Sequence, residues 1–451
     1  MVDRYVIEGG IRLKGEVRVG GSKNATLPIM AAALLTERVC FVENIPIIDD
    51  IETMGKILTH LGCRVSIDRD GHQVEIDPIG IDKRDVPPDL ATRIRASYLV
   101  AGPLLARFGA ADFPQPGGDP IGNRRVDVAL DGFEALGAEV IRGVGPHCSF
   151  VVRRRKDRLA GNEVYLDYPA HTATENLLMA ACLAQGTTHF RNACPEPEIV
   201  DLSEFLRRMG VKIRGEGTPY IVVEGRSKLY GAGHSVIPDR IEAGTFAVAA
   251  AITGGDVLLR DVNVEHMMPL THKLRQAGID VTEDARRQTY RVRSQQPLRQ
   301  VEVQTLIYPG FPTDLQTVFT TLLTQAAPTA AQPGEHRSVV HERVSERRWG
   351  YIPGLLKMGA DITVDGRSVV GLTPSEIEGQ KALVRGPTHL HGASVVAEDI
   401  RAGAALILAG LVAEGTTEVL DRAGHIGRGY ERIEEKLRGL GANIERIVVQ
   451  G

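Results

Sequence analysis

Two kinds of apolar pattern alternate along this chain, and each recurs six times. The first is amphipathic, with apolar residues at helical spacing on one face, as in "DLSEFLRRMG" and "ERIEEKLRGLG". Each such run closes on a glycine and is followed by β-rich residues. The segments "HLGCRV", "ALGAEV", "RMGVKI", "QAGIDV", "KMGADI" and "GLGANI" place that glycine at Gly62, Gly137, Gly210, Gly278, Gly359 and Gly441. Intervals of 68 to 82 residues separate them, regular enough to define a repeat. Each unit predicts a helix ended by glycine, then strands.

The second pattern, upstream in each unit, is apolar nearly all round: "LPIMAAALL", "SYLVAGPLLA", "NLLMAACLA", "GTFAVAAAI", "TVFTTLLT" and "AGAALILAGLV". A helix without a polar face must be covered on every side, so these six belong at domain centres. Sheets and amphipathic helices would then wrap outside. The pattern predicts an α/β protein of two domains, each of three repeated units around a buried three-helix core, rather than an open solenoid. A length of 451 residues agrees, being too great for one ordinary core. The Ala/Pro-rich stretch "TQAAPTAAQPGEHRSVVHERV", within 324–345, reads as an inserted surface loop.

Composition narrows the partners. With 53 basic and 57 acidic side chains the net charge is -4, and no basic run marks a nucleic-acid surface. Any anion site has to be a local cluster. Cys40, Cys63, Cys148, Cys182 and Cys194 show no CxxC spacing, which argues against a zinc site or a disulfide framework and for buried thiols in a reducing cytosol. The N-terminus "MVDRYVIEGG" lacks the regions of a signal peptide, and the apolar runs are too short and Gly-broken to span a bilayer. A cytoplasmic protein without a membrane partner is expected.

Several charged residues stand where a charge needs a reason. "GGSKNATLPIM" puts Lys23 and Asn24 at the start of the first buried helix, where backbone N–H groups and the helix dipole suit an anion; Ser22 or Asn24 as an ordinary N-cap is the alternative. "EDIRAGAALILAG" puts Arg401 in a first turn, where the dipole disfavours cations, so an anion should meet it: Asp399 as N-cap, or a ligand. Arg428 lies between two glycines ahead of a helix, either solvated or open to close ligand approach. In "PGFPTDLQTVF", Thr313 as N-cap with Gln316 suggests a capping box and leaves Asp314 in the first turn, as dipole partner or as general base. Arg93 and Arg95 enter the second buried helix, and "FPQPGGDPIGNRRVD" holds Asp119 at the tip of a turn-rich loop before Arg124. Together Lys23, Arg95, Arg124, Arg401 and Arg428 suggest a cation cluster for a small polyanion between two domains.

Nine motifs in order, among them "GGSKNATLPIMAAALL", "PGGDPIGNRRVD", "ATENLLMAA", "PEPEIVDL", "FPTDLQ" and "DIRAGAALILAG", make the chain resemble the enolpyruvyl transferases over nearly its whole length. The resemblance implies two inside-out α/β domains of three repeats each, 22–236 and a discontinuous 1–21 with 237–451. It implies transfer of the enolpyruvyl group of phosphoenolpyruvate to the 3'-hydroxyl of UDP-N-acetylglucosamine, the first committed step of peptidoglycan synthesis, without metal or organic cofactor. By position, Lys23, Asn24, Arg124 and Arg428 would hold phosphoenolpyruvate, with Arg401 nearby. Arg95, Arg124, Arg125, Val126, Asp127, Val128, Asp314 and Val344 would hold the sugar nucleotide. Asp119 would be the general acid and Asp314 the general base, with Lys23 and Arg401 also in catalysis. Three departures from the family pattern stand out: Asp119 where most members carry cysteine, Arg125 in place of proline, and Ala170, His171 and Thr172 in place of Ser-Val-Gly near the diphosphate. Alternatives are another acceptor, either a different UDP-sugar or shikimate 3-phosphate, and a regulatory paralogue that binds sugar nucleotide.

Overall fold

The computed structural model describes residues 2–122, 125–144, 149–294, 297–328, 337–373, 376–377 and 379–449. The six amphipathic runs are helices, Asp49–His60, Asp127–Ala135, Pro197–Arg208, Met268–Gln276, Ile352–Lys357 and Ile433–Gly439. The glycine after each has a positive φ, from 85° at Gly278 to 106° at Gly62. A β-carbon is strained in that region, which is why one residue type recurs at this place in every unit.

Contacts divide the chain into two compact units: Met1–Gly20 with Pro120–Asn123 and Pro238–Gly451, and Gly21–Asp119 with Arg124–Ile237. In the first unit, the all-apolar helices Arg240–Ile252, Thr313–Leu323 and Ile400–Gly410 pack against one another. Every residue of Arg240–Ile252 and Ile400–Gly410 is buried, as a helix without a polar face requires. In the second unit, helix His171–Cys182 packs against Lys23–Ala32 and Ala101–Phe108. The predicted helix "SYLVAGPLLA" is divided, a 3-10 segment Arg95–Val100 passing into the α-helix Ala101–Phe108. Pro103 has no N–H for the carbonyl of Leu99, so a continuous α-helix would lose a bond there.

Sheets flank these helices. Five of them share one plan: a short edge strand runs parallel to the next, and two antiparallel strands follow. The sixth, formed by Ala110–Phe113, Ser149–Arg154 and Ala138–Val144, keeps its edge partner only as a bridge from Asp85 to Asp112. The unit at the C-terminus completes its sheet with Val2–Glu8, which lies between Thr416–Asp421 and Asn443–Val449. The chain's first strand is thus the last strand of the sixth repeat. Gly20 N donates to Glu242 Oε2 at 2.7 Å, and Lys436 holds the other oxygen of that buried carboxylate at 2.6 Å, tying the N-terminal segment to its unit.

The expectation of an inserted loop over 324–345 is corrected. Ala326–Ala327 pairs with Leu298–Arg299, and Ser338–His341 is an interior strand between Glu302–Gln304 and Lys381–Arg385. Only 329–336 lie outside the described residues. Alternating burial of Ser338 and Val340 explains the error, since the strand's apolar face was hidden in a stretch dominated by Ala, Pro and charge. Cys40, Cys63, Cys182 and Cys194 are buried free thiols; Cys148 lies outside the described residues. No helix among the described residues is long and apolar enough to cross a membrane.

Candidate active site

In the second unit, Ser22 caps the helix Lys23–Ala32, its hydroxyl accepting from Ala25 N at 3.3 Å. Lys23 begins that helix and is only 8% exposed, so its ammonium requires an anion. Asp50 supplies one, with Oδ2 2.6 Å from Nζ. Asn24 beside it is half-buried. Arg95 is buried as well, its guanidinium carbon 5.3 Å from the centre of the Tyr98 ring. Burial pulls its pKa down, and Tyr98 partly opposes this. Arg93, two residues earlier, is exposed. Tyr98 in turn donates to Thr172 Oγ1 at 2.5 Å, so one member of the departing Ala170-His171-Thr172 trio is fixed by the second buried helix.

The Asp119 loop is built on two glycines with different duties. A β-carbon at Gly117 would stand 1.9 Å from the carbonyl oxygen of Thr92, and Gly117 N donates to Ala91 O at 3.0 Å. Gly118 has φ 101°, a conformation that turns the chain just before the acid. Asp119 is half-buried at that turn. Arg124 lies outside the described residues. Arg125 is exposed and donates from Nε to Asp127 Oδ2 at 2.9 Å, a bond that holds the Asp127 carboxyl below the usual range. Val126 and Val128 are buried.

In the first unit, Asp314 sits in the opening turn of Thr313–Leu323 between two guanidiniums. Arg348 Nη1 lies 2.6 Å from Oδ1, and Arg401 approaches Oδ2 with Nη2 at 2.9 Å and Nε at 3.1 Å. Burial alone would raise the carboxyl's pKa; Arg348 and Arg401 outweigh it and hold the group far below the ordinary carboxylate range. Arg401 is 6% exposed, in a first turn where the dipole disfavours it. Asp399 takes the backbone role, accepting from Arg401 N at 2.8 Å and Ala402 N at 2.9 Å, while the side chain pairs with Asp314. Arg401 also stands 5.1 Å from the centre of the Tyr430 ring, whose hydroxyl lies 2.9 Å from Thr245 Oγ1.

A description of 3-phosphoshikimate 1-carboxyvinyltransferase, EPSP synthase, matches residues 7–437. The chain belongs to the EPSP synthase family. Relatives of the family cover essentially its full length: it is 46% identical over 99% of its residues to UDP-N-acetylglucosamine 1-carboxyvinyltransferase 2 of Carboxydothermus hydrogenoformans, all of which is covered. It is 45% identical, over 99% of its own length and 100% of the relative's, to the UDP-N-acetylglucosamine 1-carboxyvinyltransferase of Desulfatibacillum aliphaticivorans. Among solved structures, the enolpyruvyl transferase NikO from Streptomyces tendae superimposes with a TM-score of 0.85 at 25% identity, over 100% of both chains. EPSP synthase from Acinetobacter baumannii shares the fold at a TM-score of 0.72 and 19% identity, over 99% of this chain and 100% of that one.

Within this member of the EPSP synthase family some expected residues meet and others do not. Asp314 and Arg401 are in contact. The capping box is corrected: Pro312 is the N-cap, Thr313 Oγ1 donates to Glu342 Oε2 at 3.0 Å, and Gln316 Nε2 donates to Tyr351 Oη at 2.9 Å. Nearby carboxylate and phenol outcompete the local bonds that spacing suggested. Glu342 also accepts from Val344 N at 2.8 Å, so that N–H is already engaged. Arg428 ends the short 3-10 turn Ile426–Arg428, ahead of the helix Ile433–Gly439, with Nη1 3.5 Å from His425 Nδ1. Its neighbour Gly429 serves packing, because a β-carbon there would stand 2.3 Å from Ile400 Cγ2. Arg348, Asp50 and Tyr430 were missed. Each adjoins an ordinary run, "SERRWG", "IIDDIE" and "GRGYER", and only folding shows which member of the run turns inward.

Proposed function

We propose that this chain transfers the enolpyruvyl group of phosphoenolpyruvate to the 3'-hydroxyl of UDP-N-acetylglucosamine and releases phosphate. The carrying observation is full-length similarity at 43–46% identity to relatives named UDP-N-acetylglucosamine 1-carboxyvinyltransferase. In this reading Asp119 delivers a proton to the methylene carbon of phosphoenolpyruvate, leaving its C2 electron-poor. The sugar hydroxyl adds there, giving up its proton to Asp314. Loss of a proton from the new methyl group then expels phosphate and restores the enol ether. Lys23, Asn24, Arg124 and Arg428 hold the carboxylate and phosphate through both steps, and Arg95 and the 125–128 segment hold the nucleotide.

The ion pairs give Asp314 a specific task. Two arginines keep it ionised and therefore able to accept a proton, but they also make it a weak base. Binding of the anionic substrates draws Arg401 or Arg348 toward phosphate and raises the basicity of Asp314 when the hydroxyl is in place. We assign the reaction to the cytoplasm, where both substrates are made. Phosphate release from phosphoenolpyruvate, measured with an acceptor panel, tests the reading. Release is expected with UDP-N-acetylglucosamine and not with UDP-N-acetylgalactosamine, shikimate 3-phosphate or no acceptor. Turnover with shikimate 3-phosphate instead would overturn the assignment, and binding of the nucleotide without turnover would favour a regulatory paralogue.

A further inference from the structure

We propose that His171, Glu196 and Glu198, with the buried Glu175 carboxyl beside His171, form a binding site for one divalent transition-metal ion of the zinc class. The four residues come from two neighbouring helices of the second unit. His171 and Glu175 stand one turn apart at the start of His171–Cys182, while Glu196 and Glu198 flank Pro197 at the start of Pro197–Arg208. Cys194 N donates to Thr174 Oγ1 at 3.1 Å, so the approach of the two segments is itself hydrogen-bonded.

The donor atoms of three of these residues lie close together. One donor atom from each of His171, Glu196 and Glu198 falls within 4.8 Å of the others. Two carboxylates converge on the same imidazole nitrogen: Glu175 Oε1 stands 3.4 Å and Glu196 Oε2 3.7 Å from His171 Nε2. Ligand atoms held roughly 2.0–2.1 Å from a tetrahedral ion lie about 3.3–3.5 Å from one another, so the His171–Glu196 separation needs only a small closure.

Glu175 supplies the independent observation. Its side chain is fully buried, at 0% exposure, and among the described residues neither carboxylate oxygen has a hydrogen-bond partner. Buried polar oxygens are nearly always satisfied, and a pair of them left bare beside an imidazole and two further carboxylates indicates an unseen cation. An imidazole among carboxylates selects the ion class. Magnesium and calcium prefer oxygen alone, whereas zinc, cobalt and manganese accept nitrogen with oxygen. The ion would pin the two helix starts together.

Chelator-treated full-length protein titrated with Co2+ alone provides the test. One ion per chain is expected, with the visible d–d bands of a low-coordinate site and no sulfur-to-cobalt charge transfer, and Zn2+ should displace it. His171→Ala and Glu198→Gln should each weaken binding by more than the ten- to hundredfold that loss of a supporting hydrogen bond costs at a metal site. Both should lose the metal-dependent rise in melting temperature. Absence of saturable binding, or binding that His171→Ala leaves intact, would overturn the site. Should either variant fail to fold, X-ray absorption of the zinc-loaded unmodified protein decides: a shell of nitrogen and oxygen supports the proposal, and sulfur ligands refute it.

Discussion

Arg348→Met takes one of two cations from Asp314 while keeping most of the arginine's apolar stem, so it isolates charge from packing. Deleting one partner of a buried ion pair costs about 3–5 kcal/mol. Asp314 retains Arg401 at 2.9 Å, and its side chain is 24% exposed, which reduces the penalty. A loss of about 2 kcal/mol is expected at neutral pH. The chain's single tryptophan, Trp349, provides the assay: it is buried, and its Nε1 donates to Gly379 O at 2.9 Å, so its fluorescence follows the first unit. With urea slopes of about 2 kcal/mol/M, the midpoint should fall by about 1 M. The pH dependence carries a sign. Because the folded carboxyl lies below its unfolded value, this stabilisation is complete above the unfolded pKa of about 3.9 and is lost as pH falls toward the folded one. The difference between the two proteins should therefore stay constant from about pH 8 to 5 and narrow only where acid protonates the folded carboxyl of the variant, which loses its charge before that of the native protein. A midpoint shift under about 0.3 M, or a gap that widens as the pH falls, would refute the reasoning.

Asp119→Asn should lose most turnover while still binding UDP-N-acetylglucosamine, since an amide has no acidic proton to donate; undiminished activity would remove Asp119 from the mechanism. A carboxylate is a poor nucleophile toward an epoxide, so the protein should resist fosfomycin, and Asp119→Cys should gain time-dependent covalent inactivation visible by mass spectrometry. Gly117→Ala drives a β-carbon to within 1.9 Å of the Thr92 carbonyl and must displace the loop, so turnover should drop at least about tenfold with little change in melting temperature. Equal activity of that variant would show that the loop's position is unimportant to chemistry.

The alternation of amphipathic and all-apolar helices was legible in the sequence because both signals are local. A helix's polar face, or its lack of one, is written in consecutive residues, and a positive φ after the helix admits glycine far more readily than other residues. The six-unit plan followed from those two constraints. What the sequence could not show is the partner of each charge. Lys23 with Asp50, Asp314 with Arg348 and Arg401, and His171 with Glu196 join residues from different helices or loops, and Asp50, Arg348 and Glu196 each sit in a run where a nearby residue carries the same charge. Selection among them depends on which side chain the tertiary packing turns inward, where the cost of burying a lone charge forces pairing. The same competition overturned the local reading of Thr313, whose hydroxyl bonds to Glu342 instead of capping its own helix. Sequence determined the two kinds of helix and the number of repeats, because those depend on near neighbours. Tertiary structure decided the electrostatics of the site, because Coulombic and hydrogen-bond energies depend on distances that only the closed fold defines.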